Sequence, residues 1–580
     1  MKEIIVGIDL GTTNSAIAYV KDGVPEIIPI DGQPTMPSCV GIDPQGKLLV
    51  GLPARNMLIA APESTIHSIK RRMGEPVKVT LAGQQFSPEE ISSFILRKLK
   101  EEAEKFLGQP VKKAVITVPA FFDASQRKAT QNAGELANLE VVRIINEPTA
   151  AALAYEAGHS DNERILVYDL GGGTFDVSVV VIENDVVEVQ ASHGDTHLGG
   201  DDFDELLVQR VVDDFHAKHQ IFLSEDPKTM RRLKLSLERA KCALSDEPLV
   251  MVREEYIHGD LHLEMELQRA DYEEMIEPYL QKTLDCIHKS LQDARLLPGE
   301  IAKVMLVGGS TRTPLVHQLI EANLNLVPRW EINPDLIVAL GASISAASMA
   351  GEKSKAILVD ITGHSFGIEA LSFTEEGEML VNTPIIHRGT PLPVSKSELF
   401  HTVHDNQREV EITVFEGEDR IPAKNTLVGQ FRVEGLSEAG HGNPILVTFN
   451  LDLNGMLTVT ATERVTGLKK SVTLDTRNVH ASFDLAAARQ NIMSLVDQDV
   501  LELEEPGEDS EPVDSHALLV SAKELRKRAE ALLENKVTEE DAVEIRELLR
   551  KSAEAVKAKD IESLQPLNDS LSDIIFYLED

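Results

Sequence analysis

Short runs of β-branched and other apolar residues that break off at glycine recur along this chain. Ile165, Leu166, Val167 and Tyr168 run into Asp169-Leu170-Gly171-Gly172-Gly173-Thr174-Phe175-Asp176, and Val177, Val179 and Val181 lead away. Strand-patterned sequence on both sides of a glycine run predicts a hairpin whose tip is nearly bare backbone. The design also stands near the start: Ile4, Ile5 and Val6 enter Gly7-Ile8-Asp9-Leu10-Gly11-Thr12-Thr13-Asn14, and an apolar run from Ala16 to Val20 leaves it. Such a repeat predicts two similar halves facing a shared cleft. A third tip, Gly308-Gly309-Ser310-Thr311-Arg312, follows Val304 to Val307 and opens into a helix.

Helical spacing takes over between the tips. Ile91, Phe94, Ile95, Leu99 and Phe106 place an amphipathic helix over 88–107. A strand over 115–118 ends at Pro119, a helix covers 124–137, and a strand over 141–145 runs into Asn146-Glu147-Pro148-Thr149. An acid at such a strand end sits where ligands collect in α/β folds, and equally where a helix start wants negative charge. Residues 183–303 read as mostly helical, with 231–244 and 271–296 the longest periodic runs. Glu238, Lys241 and Ser245 fall on one helix face, a pattern that serves a solvated surface as readily as a ligand. From 361 to 475 the period shortens to alternation. Ile445 to Leu453, Asn454-Gly455, then Met456 to Thr462 predicts a hairpin closed by a type I′ turn, and strands at this spacing indicate a β-sandwich. The apolar run Ala356 to Asp360 before it reads as a strand. Residues 499–514 hold eight acids and no base, with Pro506, Gly507 and Pro512, the composition of a flexible, solvated link. Helices are expected beyond it over 516–534, 538–558 and 560–578.

The 580 residues suffice for roughly four domain-sized units. A net charge of −38 argues against nucleic acid as a general partner, because a polyanion would be repelled. Three scattered cysteines, Cys39, Cys242 and Cys286, give no disulfide framework or zinc site. The start shows no signal-peptide layout, and no apolar stretch reaches the ~18 residues of a membrane span, so a cytoplasmic protein without a membrane partner is expected. Gly41-Ile42-Asp43-Pro44-Gln45-Gly46-Lys47-Leu48 approaches the P-loop pattern but ends in Leu48 instead of a hydroxyl residue, and reads better as a turn.

Bare amides at glycine tips suit phosphate oxygens. The flanking Asp9, Asp169 and Asp176 would repel a phosphate unless a divalent ion sat between, since hard cations prefer oxygen ligands. In Lys70-Arg71-Arg72, a short basic cluster that would usually be a solvated face, Lys70 is a candidate to neutralise charge developing in phosphoryl transfer.

Five blocks now combine: residues 8–15, 145–152, 169–176, Gly194-Asp195-Thr196-His197-Leu198-Gly199-Gly200, and 308–312. Together they resemble the seventy-kilodalton heat-shock chaperone family, DnaK type, in the family's order and across the first 350 residues. The resemblance implies a multidomain chain. An α/β ATPase of the actin and sugar-kinase type, with two lobes, would occupy 1–352, a linker 353–360, a β-sandwich peptide-binding domain 361–480, and an α-helical lid 481–580. The implied cofactors are ATP, Mg2+ and K+. Asp9, Asp169, Asp176 and Glu147 would serve the ions. Gly11, Thr12, Thr13, Asn14, Gly171, Gly172, Gly173 and Thr174 would touch phosphates. Lys70, Glu147, Asp169 and Thr174 would act in hydrolysis. Glu238, Lys241, Ser245, Gly308, Gly309, Ser310, Arg312 and Asp335 would hold the adenosine. Cys242 stands where some members stack an arginine on adenine, and Leu336 where a glutamate is common. Pro119, Arg127 and Arg143 match positions of interdomain coupling or J-domain docking. Ile368, Leu371, Phe400, Val403, Val410 and Ile412 would line the peptide pocket, though each also suits a plain core; Val403 is larger than the usual alanine, and Leu371 replaces a methionine. Client polypeptides, a J-domain co-chaperone and a nucleotide exchange factor are the implied partners. A shortened 73–84 segment and the missing tail point toward the short HscC-like forms. A small-molecule kinase of the same superfamily would share the tips without the sandwich, and an actin-like assembly protein would have no use for a peptide site.

Overall fold

Each of the first two glycine tips closes a hairpin in its own sheet. Ile5–Asp9 and Asn14–Lys21 flank the first and pair antiparallel, Gly7 opposite Ala18. Glu163–Leu170 and Phe175–Glu183 flank the second, Asp169 opposite Asp176. In the first sheet Val24–Ile27 extends the antiparallel side, and Lys113–Val118 lies parallel to Ile5–Asp9. Val186–Asp195 and Lys303–Val307 take the same places in the second. The repeat in the sequence is therefore a repeat of topology. The computed structural model describes residues 4–157, 162–352, 357–374, 377–438, 442–474, 483–501, 546 and 548–551.

Strands buried on both faces need helices on both sides, and read as unbroken apolar runs for that reason. Glu147–Glu156 and Ile337–Met349 supply the inner layer, their alanines packing with Val115, Val167 and Met305. Pro88–Leu107 covers the first sheet. It starts at a capping box, in which Ser87 Oγ accepts from the Glu90 amide and Glu90 Oε2 from the Ser87 amide, and ends at Gly108 in the left-handed region. Gly200–His219, Pro227–Ala243 and Arg269–Asp293 build the second lobe. The mostly helical reading of 183–303 needs correction there. Leu249–His258 and Leu261–Gln268 form an antiparallel hairpin, in which Val252, Ile257 and Leu263 point inward while Met251 and Tyr256 stay exposed. Charges between its apolar residues disguise the alternation. The P-loop near-match is indeed a turn, joining Cys39–Ile42 to Leu48–Val50.

Ile357–Val359 joins the edge of the second sheet, parallel to Val186–Glu188. Past it lies a sandwich of two four-stranded sheets. One holds Phe366–Thr374, Gly377–Ile386, Glu409–Glu416 and Thr426–Glu434; the other Val394–His401, Pro444–Leu451, Leu457–Glu463 and Lys469–Leu474. The Asn454-Gly455 hairpin exists, but its turn is not type I′. That turn needs positive φ at both central residues, and only Gly455 has it (φ +78). The Asp452 side chain takes the amides of Asn454 and Met456, and Asn454 Oδ1 accepts the Ile144 amide of the first lobe at 3.0 Å.

Leu485–Leu501 is a helix whose Ala488, Ile492 and Leu495 enter the hydrophobic cluster of the first lobe. It runs through the first three residues of the acidic segment 499–514, which is therefore not broken at its start. The remainder of that segment and the helices expected over 516–534, 538–558 and 560–578 lie outside the described residues, apart from helical residues at 546 and 548–551. No helix among the described residues is long and apolar enough to cross a membrane.

Candidate functional site

The three tips converge on a cavity of about 340 Å3 between the lobes. Asp9, Gly11, Thr12, Thr13 and Asn14 line it from the first tip, Asp169, Gly171, Gly172 and Thr174 from the second, and Gly308, Gly309, Ser310 and Arg312 from the third. Lys70, Glu147, Glu238, Lys241, Ser245 and Asp335 complete the expected set, with Cys242 among them. Gly173 and Asp176 are not on its surface. Gly173 packs on Thr12 and Arg71, and Asp176 is buried with its Oδ1 accepting the Phe121 amide at 3.1 Å.

The tips interlock. Ser310 Oγ donates to the Gly171 carbonyl at 2.8 Å, and the amides of Gly200 and Asp201 donate to the carbonyls of Gly171 and Gly172 at 3.0 and 2.7 Å. None of Gly171 to Gly173 lies at positive φ. The bare backbone answers proximity instead: a Cβ on Gly172 would stand 1.9 Å from Thr13 Oγ1.

Lys70 is 4% exposed, because the turn Ile69–Arg72 buries its first two residues, so the solvated-face reading of the basic cluster fails at Lys70. Its Nζ pairs with Glu147 Oε1 at 2.5 Å. Glu147 is also the first residue of its helix, so both roles read for it coexist. Burial, then repulsion from Glu147, pushes Asp9 up to about 7. Burial, with Glu147, Asp176 and Asp9 adding to it, holds Asp169 well above the usual carboxylate range. Asp176 rises to about 7 by burial and Glu147, against the Phe121 amide. A set of buried, mutually repelling carboxyls with one lysine among them fits a divalent cation, which would relieve that repulsion. Among the described residues no three His, Cys, Asp or Glu side chains form a ready cage, so an ion here would keep waters or take ligand oxygens, as Mg2+ commonly does.

Asp204, which lines the cavity, and several ion pairs beside it escaped the sequence reading. Asp204 pairs with Lys241 at 2.8 Å, and burial raises its carboxyl to about 6 against that lysine. Arg71 reaches Asp202 at 2.9 Å and Arg55 reaches Glu238 at 2.7 Å, while Arg231 contacts His67. These contacts span the mouth between the lobes. The only signal for them was the pair Asp201-Asp202 directly after Gly199-Gly200. Arg312 meets Asp335 at 2.7 Å.

One strand end faces two ways. While Glu147 meets Lys70, the neighbouring Asn146 donates its Nδ2 to both Asp360 oxygens at 3.1 and 3.0 Å, and Thr149 donates to Asp360 at 3.2 Å. Arg127 donates to Asn146 Oδ1 at 2.6 Å, and half-buried Arg143 leaves its enclosed Nε without a hydrogen bond. In the sandwich, Ile368 and Ile412 lie in the core and Phe400 and Val410 pack partly buried against it, while Leu371 is half-buried and Val403 exposed.

Duplicated lobes around a tip-lined cavity, followed by a β-sandwich, define a two-lobed α/β fold joined to a sandwich domain. The chain matches the family model described as Hsp70 protein over residues 5–78 and 75–578. It is 40% identical over 582 residues to "Chaperone protein DnaK" of Thermosipho melanesiensis, covering 98% of this chain and 95% of that one. With the Thermosipho africanus protein of the same name it shares 43% identity over 516 residues, 87% and 85% of the two chains. The chain belongs to the Hsp70 family of ATP-dependent chaperones.

Proposed function

We propose that this chain hydrolyses ATP in the interlobe cavity and uses the cycle to change its grip on exposed apolar segments of unfolded client polypeptides. The observation that carries the reading is the pair Asn146-Glu147: one residue holds Asp360 before the sandwich, the next holds Lys70 in the cavity. In this reading the amides and hydroxyls of the first two tips bind the phosphates, and Lys70 neutralises charge on the transferring group. Glu147, Asp169 and Thr174 orient the attacking water. Glu238, Lys241, Ser245, Arg312 and Asp335 take the adenosine. Mg2+ beside Asp9 and Asp169 would supply charge neutralisation between phosphate oxygens, with K+ as a companion ion near Asp176. The peptide site is proposed at Ile368, Leu371, Phe400, Val403, Val410 and Ile412, where burial of one leucine side chain would contribute ~1.5 to 3 kcal/mol, suited to reversible holding. Residues 1–352, 353–360, 361–480 and 481–580 serve as ATPase, linker, peptide domain and lid. A J-domain co-chaperone, engaged near Arg127 and Arg143, and an exchange factor are the proposed partners, in the cytoplasm.

Steady-state ATP turnover with and without an unfolded apolar peptide tests this. Stimulation of severalfold by peptide is expected; turnover indifferent to peptide but dependent on an added hydroxylated metabolite would support a kinase and overturn the proposal.

A further inference from the structure

The single tryptophan of the chain stands beside the third tip. The residue before it is fixed to the second sheet, where the Leu306 amide donates to the Arg329 carbonyl at 3.0 Å and the Arg329 amide to the Val304 carbonyl at 3.1 Å. Trp330 Nε1 donates to Thr311 Oγ1 at 3.2 Å, and Thr311 in turn donates to the Gly308 carbonyl at 2.6 Å. The His317 ring meets the indole edge-on at 4.7 Å between centroids. So placed, the indole carries the Arg312 guanidinium over its face, 5.9 Å from the ring centroid. Arg312 lines the cavity and Trp330 does not.

Arg312 needs such support. Its side chain is 45% exposed, and an arginine so open ordinarily samples many rotamers. Here Asp335 takes one edge at 2.7 Å and the indole takes the plane, which together leave the guanidinium presented to the cavity in one orientation. A planar cation held this way is a stacking platform for a planar, electron-rich ligand group. The Pro227–Ala243 side of the same cavity presents the small Cys242 and no second planar cation among the described residues that line it.

We infer that Trp330 is a positioning residue for the base of a bound purine nucleotide, acting through Arg312. The inference rests on the reading of the cavity as an ATP site. It concerns the base alone, and not the phosphate-binding tips.

The test compares wild type, Trp330→Phe and Trp330→Ala for binding of ATP and of inorganic triphosphate by calorimetry, with KM and kcat for ATP hydrolysis. Trp330→Ala is expected to raise Kd and KM for ATP about fivefold, with triphosphate Kd and kcat unmoved, and Trp330→Phe to stay near wild type. In wild type, ATP should shift the tryptophan emission and triphosphate should not. Wild-type ATP affinity in Trp330→Ala would overturn the inference. Equal losses for ATP and triphosphate would also overturn it, by showing that the indole merely braces the glycine turn. So would a Phe variant as weak as the Ala variant, since the N–H bond to Thr311 would then be the cause. A wild type that binds triphosphate but gains nothing from adenosine would overturn the nucleotide reading itself, and the inference with it.

Discussion

Lys70 illustrates how much a single buried charge can decide. It is closed off from water and paired to Glu147, and it lies among carboxyls whose proton affinity burial and repulsion have already raised. Removing its charge leaves Glu147 without this partner and, in the proposed mechanism, takes a neutralising cation from the attacked phosphate. Lys70→Ala should therefore slow single-turnover ATP hydrolysis at least ~100-fold, about 3 kcal/mol of transition-state stabilisation. Unchanged turnover, with nucleotide binding measured separately, would remove Lys70 from the mechanism. Val410 carries a different test, because it packs partly buried against the sandwich core, beside Ile412. Val410→Phe adds bulk at the proposed peptide site, and should weaken binding of a labelled apolar peptide by about tenfold, or ~1.4 kcal/mol. Peptide binding at the wild-type level would move the pocket elsewhere.

Whole elements depend on one close approach. The helices Glu147–Glu156 and Ile337–Met349 cross at Gly341, where an added Cβ would lie 1.7 Å from the Ala150 carbonyl oxygen. Gly341→Ala must push these helices apart, and the first of them begins with Glu147. A loss of about 3 kcal/mol is expected, read as a lowered urea midpoint of the ATPase lobes, with slower hydrolysis alongside. An unshifted midpoint would mean that the crossing relaxes freely. The elements that were legible in the sequence share a trait: their signal is local. The glycine tips, the Pro88–Leu107 helix with its Ser87 cap and the sandwich alternation all declare themselves within a few residues. The Leu249–Gln268 hairpin did not, because half of each strand faces water and its charges break the pattern. Asp204 was equally hidden, since it matters only through Lys241 on another helix. The glycines at 171–173 were read correctly as a tip, but the crowding of Gly172 by Thr13 was hidden, because it comes from a hairpin some 160 residues earlier in the chain. Asn454 gave a turn signal whose side chain proved to be taken up by the first lobe.

At the scale of the whole molecule, the sandwich is held against the first lobe through groups that titrate. Glu416 accepts the Ala124 amide at 3.0 Å, at the start of the Ala124–Leu136 helix, and is buried there. Burial, then repulsion from Asp123, raises its carboxyl from 4.5 to about 8, with Glu418 adding to the rise and Arg127 and the Ala124 amide opposing it. Freed into water, the same carboxyl returns to its ordinary value. Docking therefore takes up a proton between those two values. The contribution of this contact is full below 4.5, is lost progressively as pH rises through about 8, and changes no further above that. Half-buried His364, whose Nε2 lies 3.1 Å from the Phe121 carbonyl oxygen, is pushed below 6.5 by burial, so above about pH 7 it is neutral whether docked or free and does not add to the effect of Glu416. The amides of Ala124 and Ile144 report docking directly, since each donates to a sandwich side chain. Their hydrogen-exchange protection factors, corrected for intrinsic rates, should fall severalfold between about pH 7 and pH 9. Glu416→Gln keeps an acceptor for the Ala124 amide and has no proton to lose, so its protection should stay level over that range. A wild-type profile as flat as that of Glu416→Gln would show that the carboxyl is not what ties sandwich docking to pH.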